Sequence, residues 1–126
     1  MKRVLLVEDN ALFRQSFRKL LEGRYPSLEI TEASDGNKAM EKVDASSFDL
    51  IFMDIRLPDE NGLTLTHNIM AKYPETTIIV LTHYDLPEYR EIAIQNGASY
   101  FLCKSMPSEE ILSVVGKVLQ NGKPEK

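Results

Sequence analysis

Glu8, Asp9, Asp54, Thr82 and Lys104 each stand at the end of a short apolar run or within two residues beyond it. The runs are Val4 to Val7, Phe48 to Met53, Thr77 to Thr82 and Tyr100 to Cys103. A single polar residue at a strand end commonly does no more than meet solvent. Three carboxylates gathered on one edge are different, because each like pair at about 4 Å costs roughly 4 kcal/mol at an effective dielectric near 20. A cation must offset them. A hard divalent ion that takes oxygen ligands and keeps several waters, namely Mg2+, is the natural choice, and Lys104 supplies a second positive charge. With charge withdrawn in this way, a carboxylate such as Asp54 can act as a nucleophile and form an aspartyl phosphate. Lys104 and the Thr82 hydroxyl then become groups able to hold its oxygens.

That chemistry requires a scaffold that brings the ends of several strands together. Adding Leu28 to Thr31 gives five strand candidates. Between them lie amphipathic segments: Leu12, Phe13, Phe17, Leu20 and Leu21; Ala39, Met40 and Val43; Leu65, Ile69 and Met70; Ile92 and Ala93; Ile111, Leu112, Val115 and Leu119. These predict five helices. Gly23 and Pro26 are read as following the first helix and Pro74 the third, Pro87 suits a first helical turn, and Gly97 and Gly122 stand where helix C-terminal glycines belong. Strict alternation with near-continuous apolar strands predicts an α/β fold, a doubly wound (βα)5 flavodoxin-like three-layer sandwich with a five-stranded parallel sheet. In such sheets ligands gather outside the carboxyl ends of the strands, where strand order reverses.

The 126 residues fit one domain, and 43% hydrophobic with 27% charged is a composition that buries a core. Fifteen basic against nineteen acidic residues give −4, which leaves no global positive field for direct nucleic-acid binding by this domain. One cysteine, Cys103, and two histidines exclude an internal disulfide and a four-ligand structural zinc site. No stretch approaches the roughly 20 apolar residues of a membrane span, and the expected location is the cytoplasm.

With these residues placed, the sequence resembles a receiver domain of the two-component response regulators over essentially its whole length. The likeness is carried by Val4-Leu5-Leu6-Val7-Glu8-Asp9-Asn10, by Met53-Asp54-Ile55-Arg56-Leu57-Pro58 followed by Asn61-Gly62, by Leu81-Thr82, by Asn96-Gly97-Ala98 and by Phe101-Leu102-Cys103-Lys104. It implies that Glu8 and Asp9 are the acidic metal pair, that Asp54 is both phosphoacceptor and Mg2+ ligand, and that the backbone carbonyl of Arg56 completes the protein ligands. Thr82 and Lys104 would sense the phosphoryl group, and Phe101 would be the aromatic switch whose ring moves inward when Thr82 swings toward it. The donor would be a sensor histidine kinase or phosphotransfer protein, and the domain would catalyse only its own phosphorylation and dephosphorylation.

The segment from Lys104 to Ile111 and the run Leu81-Thr82-His83-Tyr84-Asp85 resemble receivers attached to LuxR-type helix-turn-helix domains. That likeness implies a homodimer on phosphorylation and an output in transcription control, with 1–122 as the receiver and 123–126 as the start of a linker to an effector domain. A stand-alone receiver that signals by protein contact or phosphorelay is the alternative. Ser105 takes the place where many receivers carry proline after the lysine, and Pro107-Ser108 leaves Ser108 or Ser105 as the side chains able to cap the last helix. A haloacid-dehalogenase-type phosphatase would need a second Asp where Arg56 stands. A flavin-binding relative would need an uncharged phosphate loop where Glu8-Asp9 stand. His67 and His83 are read as exposed or hydrogen-bonded, and Cys103 as a small buried hydrophobe.

Overall fold

The computed structural model describes residues 2–123. Strands and helices alternate throughout: β1 (Arg3–Val7), α1 (Ala11–Arg24), β2 (Glu29–Ala33), α2 (Gly36–Ala45), β3 (Leu50–Met53), α3 (Gly62–Lys72), β4 (Thr77–Thr82), α4 (Pro87–Gln95), β5 (Tyr100–Cys103) and α5 (Ser108–Asn121). The sheet order is β2-β1-β3-β4-β5 and every pairing is parallel. The three inner strands, β1, β3 and β4, carry the unbroken apolar runs because both of their faces are covered. The expected doubly wound architecture is the one observed.

Alternation along the strands divides the core in two. Leu5, Val7, Ile51, Met53, Ile78, Val80 and Phe101 face α2, α3 and α4, meeting Ala39, Val43, Leu65, Ile69 and Ala93. Val4, Leu6, Leu50, Phe52, Ile79, Leu81 and Leu102 face α1 and α5, meeting Phe17, Leu21, Ile111, Leu112, Val115 and Val118. Each large side chain so buried contributes about 1.5–3 kcal/mol, and this term holds the layers together. Among the described residues no helix is long and apolar enough to cross a membrane.

Helix starts follow the sequence chemistry except at α5. Asn10, Asp35 and Asn61 cap α1, α2 and α3 through their side chains, and Pro87 opens α4. At α5 neither serine caps: Pro107 occupies the cap position with no side-chain bond, and Ser108 is already the first helical residue. Gly23 lies inside the last turn of α1, which runs on to Arg24 before Pro26 stops it. Cys103 is half-buried because it ends the edge strand β5, and its Sγ lies 3.1 Å from Ser105 Oγ. The expected linker start at 123–126 falls on Lys123 and on 124–126, which lie outside the described residues.

The loop from Asp54 to α3 is the tightest place in the chain. Arg56 and Asn61 form an isolated antiparallel bridge, and the Gly62 amide donates to Ile55 O at 2.6 Å. Asp59 then fastens the loop to α2 by accepting the Gly36 and Asn37 amides at 2.8 and 2.9 Å. A Cβ on Gly62 would lie 1.8 Å from Asp54 O and 2.8 Å from its carbonyl carbon, and neither backbone atom can step aside. Gly62→Ala is therefore expected to cost about 3 kcal/mol, read as a lower urea midpoint at unchanged slope. A midpoint equal to wild type would show that the loop yields freely.

Candidate functional site

β1 and β3 are neighbours whose chains depart to opposite sides of the sheet, which opens a crevice at their carboxyl ends. The backbone ladder continues past the strands and fixes the residues that border it: Glu8 N donates to Ala33 O at 3.0 Å, Asp54 N to Val7 O at 3.1 Å and Lys104 N to Thr82 O at 2.8 Å. By alternation Glu8, Asp54 and Lys104 follow Leu6, Phe52 and Leu102 on the α1 side of the sheet.

Glu8, Asp9 and Asp54 each present a carboxylate oxygen within 4.8 Å of the other two. Glu8 and Asp54 are buried and Asp9 is exposed. The Lys104 ammonium sits between the buried pair, bonded to Glu8 Oε1 and 3.1 Å from Asp54 Oδ2, with its side chain only 3% exposed. Backbone amides take the remaining oxygens: Asn10 N donates to Glu8 Oε2 at 3.0 Å and Ile55 N to Asp54 Oδ1 at 2.8 Å. With all three acids ionised, Lys104 balances only one of three negative charges. The surplus of two, on oxygen donors alone, fits a hard divalent cation.

Burial pushes the Glu8 carboxyl up to about 7, against the hydrogen bonds from Lys104 and the Asn10 amide and with the help of the Asp54 charge. Burial also disfavours the Lys104 ammonium, but its bond to Glu8 and the charge of Asp54 outweigh that and hold it above its usual range. Lys104 thus stays charged, and Glu8 is the member of the pair that takes up a proton.

Thr82 ends β4 fully buried, and its hydroxyl accepts the Tyr84 amide at 3.2 Å. Phe101 is buried on the same face as Val80, under α4. The Arg90 guanidinium stands 5.0 Å from the Phe101 ring and donates to the Phe101 carbonyl at 3.3 Å. Arg56 is exposed, with its guanidinium 4.3 Å over the Tyr84 ring, while its backbone is fixed by the bridge to Asn61. The structure therefore gathers Glu8, Asp9, Asp54 and Lys104 in one cluster and sets Thr82 and Arg56 in the loops and strand end beside it. His67 and His83 are exposed and outside the cluster. Sequence reading missed Phe13, Asp59 and Arg90, because an aromatic on a helix stripe, a loop acid and a helix arginine carry no signal of their partner until the fold supplies it.

Residues 4–116 match the response regulator receiver domain. The chain is 31% identical over 121 residues to the transcriptional regulatory protein DegU of Brevibacillus brevis, a match covering 95% of this chain and 51% of that one. It spans about half the length of the curated relatives it matches. Its fold is similar to a two-component response regulator of the LuxR family from Aurantimonas sp. SI85-9A1, with TM-score 0.88 and 26% identity over 96% of this chain and 86% of that one. It is also similar to the response regulator protein TrrA of Thermotoga maritima, solved in complex with Mg2+ and BeF, with TM-score 0.84 and 30% identity over 94% of this chain and 99% of that one.

The raised Glu8 pKa gives a stability profile with a definite sign. The folded protein holds the Glu8 proton up to about pH 7, whereas an ordinary glutamate loses it near 4.5. Between these values the folded state binds the extra proton, so stability falls as pH rises through the window, by on the order of 3 kcal/mol at most. Asp59, held low by the Gly36 and Asn37 amides, and Asp44, held low by Tyr73 and Lys72, act in the acid range below it. Without added metal, urea unfolding from pH 5 to 7 should show this loss in wild type and little of it in Glu8→Gln. The same slope in both proteins would assign the titration to another group.

Proposed function

The chain belongs to the response regulator receiver domain family, and we propose that Asp54 accepts a phosphoryl group from a sensor histidine kinase or phosphotransfer protein in a Mg2+-dependent reaction. The observation that carries this reading is the buried Glu8, Asp54 and Lys104 cluster at the β1 and β3 crevice. Glu8, Asp9, Asp54 and the Arg56 carbonyl would hold the cation. When bound, Mg2+ neutralises phosphoryl oxygens and the surplus carboxylate charge.

The chain's own residues divide the remaining work. Each Asp54 oxygen accepts one hydrogen bond, Oδ1 from the fixed Ile55 amide and Oδ2 from the flexible Lys104 side chain, and Oδ2, whose partner can move away, is the oxygen that attacks phosphorus. The bond from phosphorus to the donor nitrogen breaks, and its electron pair leaves with the donor imidazole. Asp54 Oδ2 loses its charge on becoming an acyl phosphate oxygen, so Lys104 moves from it to a phosphoryl oxygen. Thr82 supplies a second bond by turning from the Tyr84 amide. Hydrolysis breaks the bond from Asp54 Oδ2 to phosphorus, passing the phosphoryl group to water as inorganic phosphate and returning the carboxylate, and the domain would run no reaction beyond this cycle.

DegU is named a transcriptional regulatory protein, the curated relatives are about twice as long as this chain, and a structural neighbour is of the LuxR family, which supports an output in transcription control through a linked effector of LuxR type. Leu86, Ile92 and Ile94 around α4 are exposed, and they supply an apolar part of the face through which a phosphorylated homodimer or effector would be engaged. A kinase donor and a transcription output would both put the reaction in the cytoplasm.

Incubation with Mg2+ and acetyl phosphate should add one labile phosphoryl mass to wild type and none to Asp54→Ala, while Asp9→Asn should lower Mg2+ affinity and phosphorylation rate together. An equal mass gain in Asp54→Ala would remove Asp54 from the role. The Thr82 and Phe101 switch has its own readout. Beryllofluoride should shift NMR resonances of Phe101 and α4 in wild type, and Thr82→Ala should bind this phosphoryl mimic yet respond much less there. Equal responses would uncouple Thr82 from Phe101.

A further inference from the structure

We propose that Phe13 is a positioning residue for Lys104, whose ring face keeps the ammonium at the site while that ammonium exchanges one ionic partner for another. The role rests on the phosphoacceptor reading of Asp54.

Lys104 Nζ lies 4.4 Å from the centroid of the Phe13 ring, well inside cation–π range. An ammonium carries three N–H donors, and the two buried carboxylates take two of them. The lysine side chain is 3% exposed, so the half-buried ring meets a cation removed from water, where the attraction to an aromatic face is strongest.

The ring is held from two directions. The Phe13 backbone amide, which carries the ring, donates to Asn10 Oδ1 at 3.1 Å, and the Asn10 amide donates in turn to Glu8. On the other side the ring stacks on Phe17, with centroids 5.7 Å apart and planes 11° from parallel, and Phe17 meets Phe52 edge-on at 4.9 Å. Phe52 stands on β3 two residues before Asp54. The ring is thus braced against both strands that carry the buried carboxylates.

Phosphorylation removes the charge that Lys104 meets on Asp54 Oδ2. A lysine on a flexible four-carbon stem would sample many positions once one partner is lost. The aromatic face attracts the charge without requiring a particular N–H direction, so its hold persists while the ammonium moves to a phosphoryl oxygen. Leucine would fill much of the same space and lack the quadrupole; tyrosine would keep it.

The test compares Phe13→Leu with Phe13→Tyr. In wild type without metal, Lys104 side-chain proton resonances should lie upfield through the ring current, and this shift should persist in Phe13→Tyr and vanish in Phe13→Leu. With Mg2+ and acetyl phosphate, Phe13→Leu should be phosphorylated about tenfold more slowly at saturating Mg2+ while its Mg2+ affinity stays within about twofold of wild type. Phe13→Tyr should restore the rate to within about twofold. A Phe13→Leu rate equal to wild type, or a tyrosine variant as slow as the leucine one, overturns the role of the ring. Wild type that takes up no phosphoryl group overturns the Asp54 reading and this role with it, and the ring-current shift then reports the contact alone.

Discussion

Two carboxylates, Glu8 and Asp54, are buried side by side at the end of a parallel sheet, and a single lysine stands between them. Such an arrangement is costly: each ion loses hydration, and like charges repel in a medium that screens them poorly. It survives because the surroundings allow no cheaper geometry. Glu8, Asp54 and Lys104 are locked by backbone bonds to neighbouring strands, so their spacing is set by the strand separation rather than by their own preferences. Burial makes Glu8 hold a proton until about pH 7, with the Asp54 charge adding to the effect.

The elements that enforce this geometry are mostly not charged. The Gly62 backbone approaches the Asp54 carbonyl so closely that no side chain fits, and Asp59 ties the same loop to the first turn of α2. On the α1 side the Phe13, Phe17 and Phe52 rings join the helix to the strand that presents Asp54. Arg14 is a second cation near the crevice, but its guanidinium is committed to Glu32 and to the Glu8 carbonyl. Lys104 is therefore the cation placed to exchange partners at the carboxylates.

The fold was legible because its signals are redundant. β1, β3 and β4 announce themselves as apolar runs since both of their faces are covered, and breakers at Pro74, Pro87 and Gly97 fall where alternation already places a boundary. Glu8 and Asp54 were legible for the same reason, as polar residues at the ends of those runs, and Lys104 as the polar residue after the apolar run of β5. What failed was local and weakly determined. Gly23 costs α1 too little to stop it two residues early, and Pro107 sits at the α5 cap because proline's fixed φ suits a helix entry without a serine bond. Phe13, Asp59 and Arg90 act through partners 91, 23 and 11 residues away, at Lys104, Gly36 and Phe101, and no spacing rule reaches such pairs.

The division of the core by strand alternation gives the site a sidedness with a consequence for signalling. Glu8, Asp54 and Lys104 continue the face covered by α1 and α5, where three rings pack on one another and leave little freedom. Thr82 and Phe101 alternate onto the face covered by α2, α3 and α4. The polar and cation–π contacts around this pair are exchangeable: one Thr82 hydroxyl bond, an Arg56 guanidinium on Tyr84, and an Arg90 guanidinium on Phe101. Each is worth on the order of 1 kcal/mol, so together they match the few kcal/mol by which a bound phosphoryl group can bias two conformations. A rearrangement started at Asp54 reaches these exchangeable contacts through Thr82, whose carbonyl accepts the Lys104 amide. Under the proposed phosphoacceptor role, the response must then run toward α4, where Leu86, Ile92 and Ile94 are already exposed to a partner.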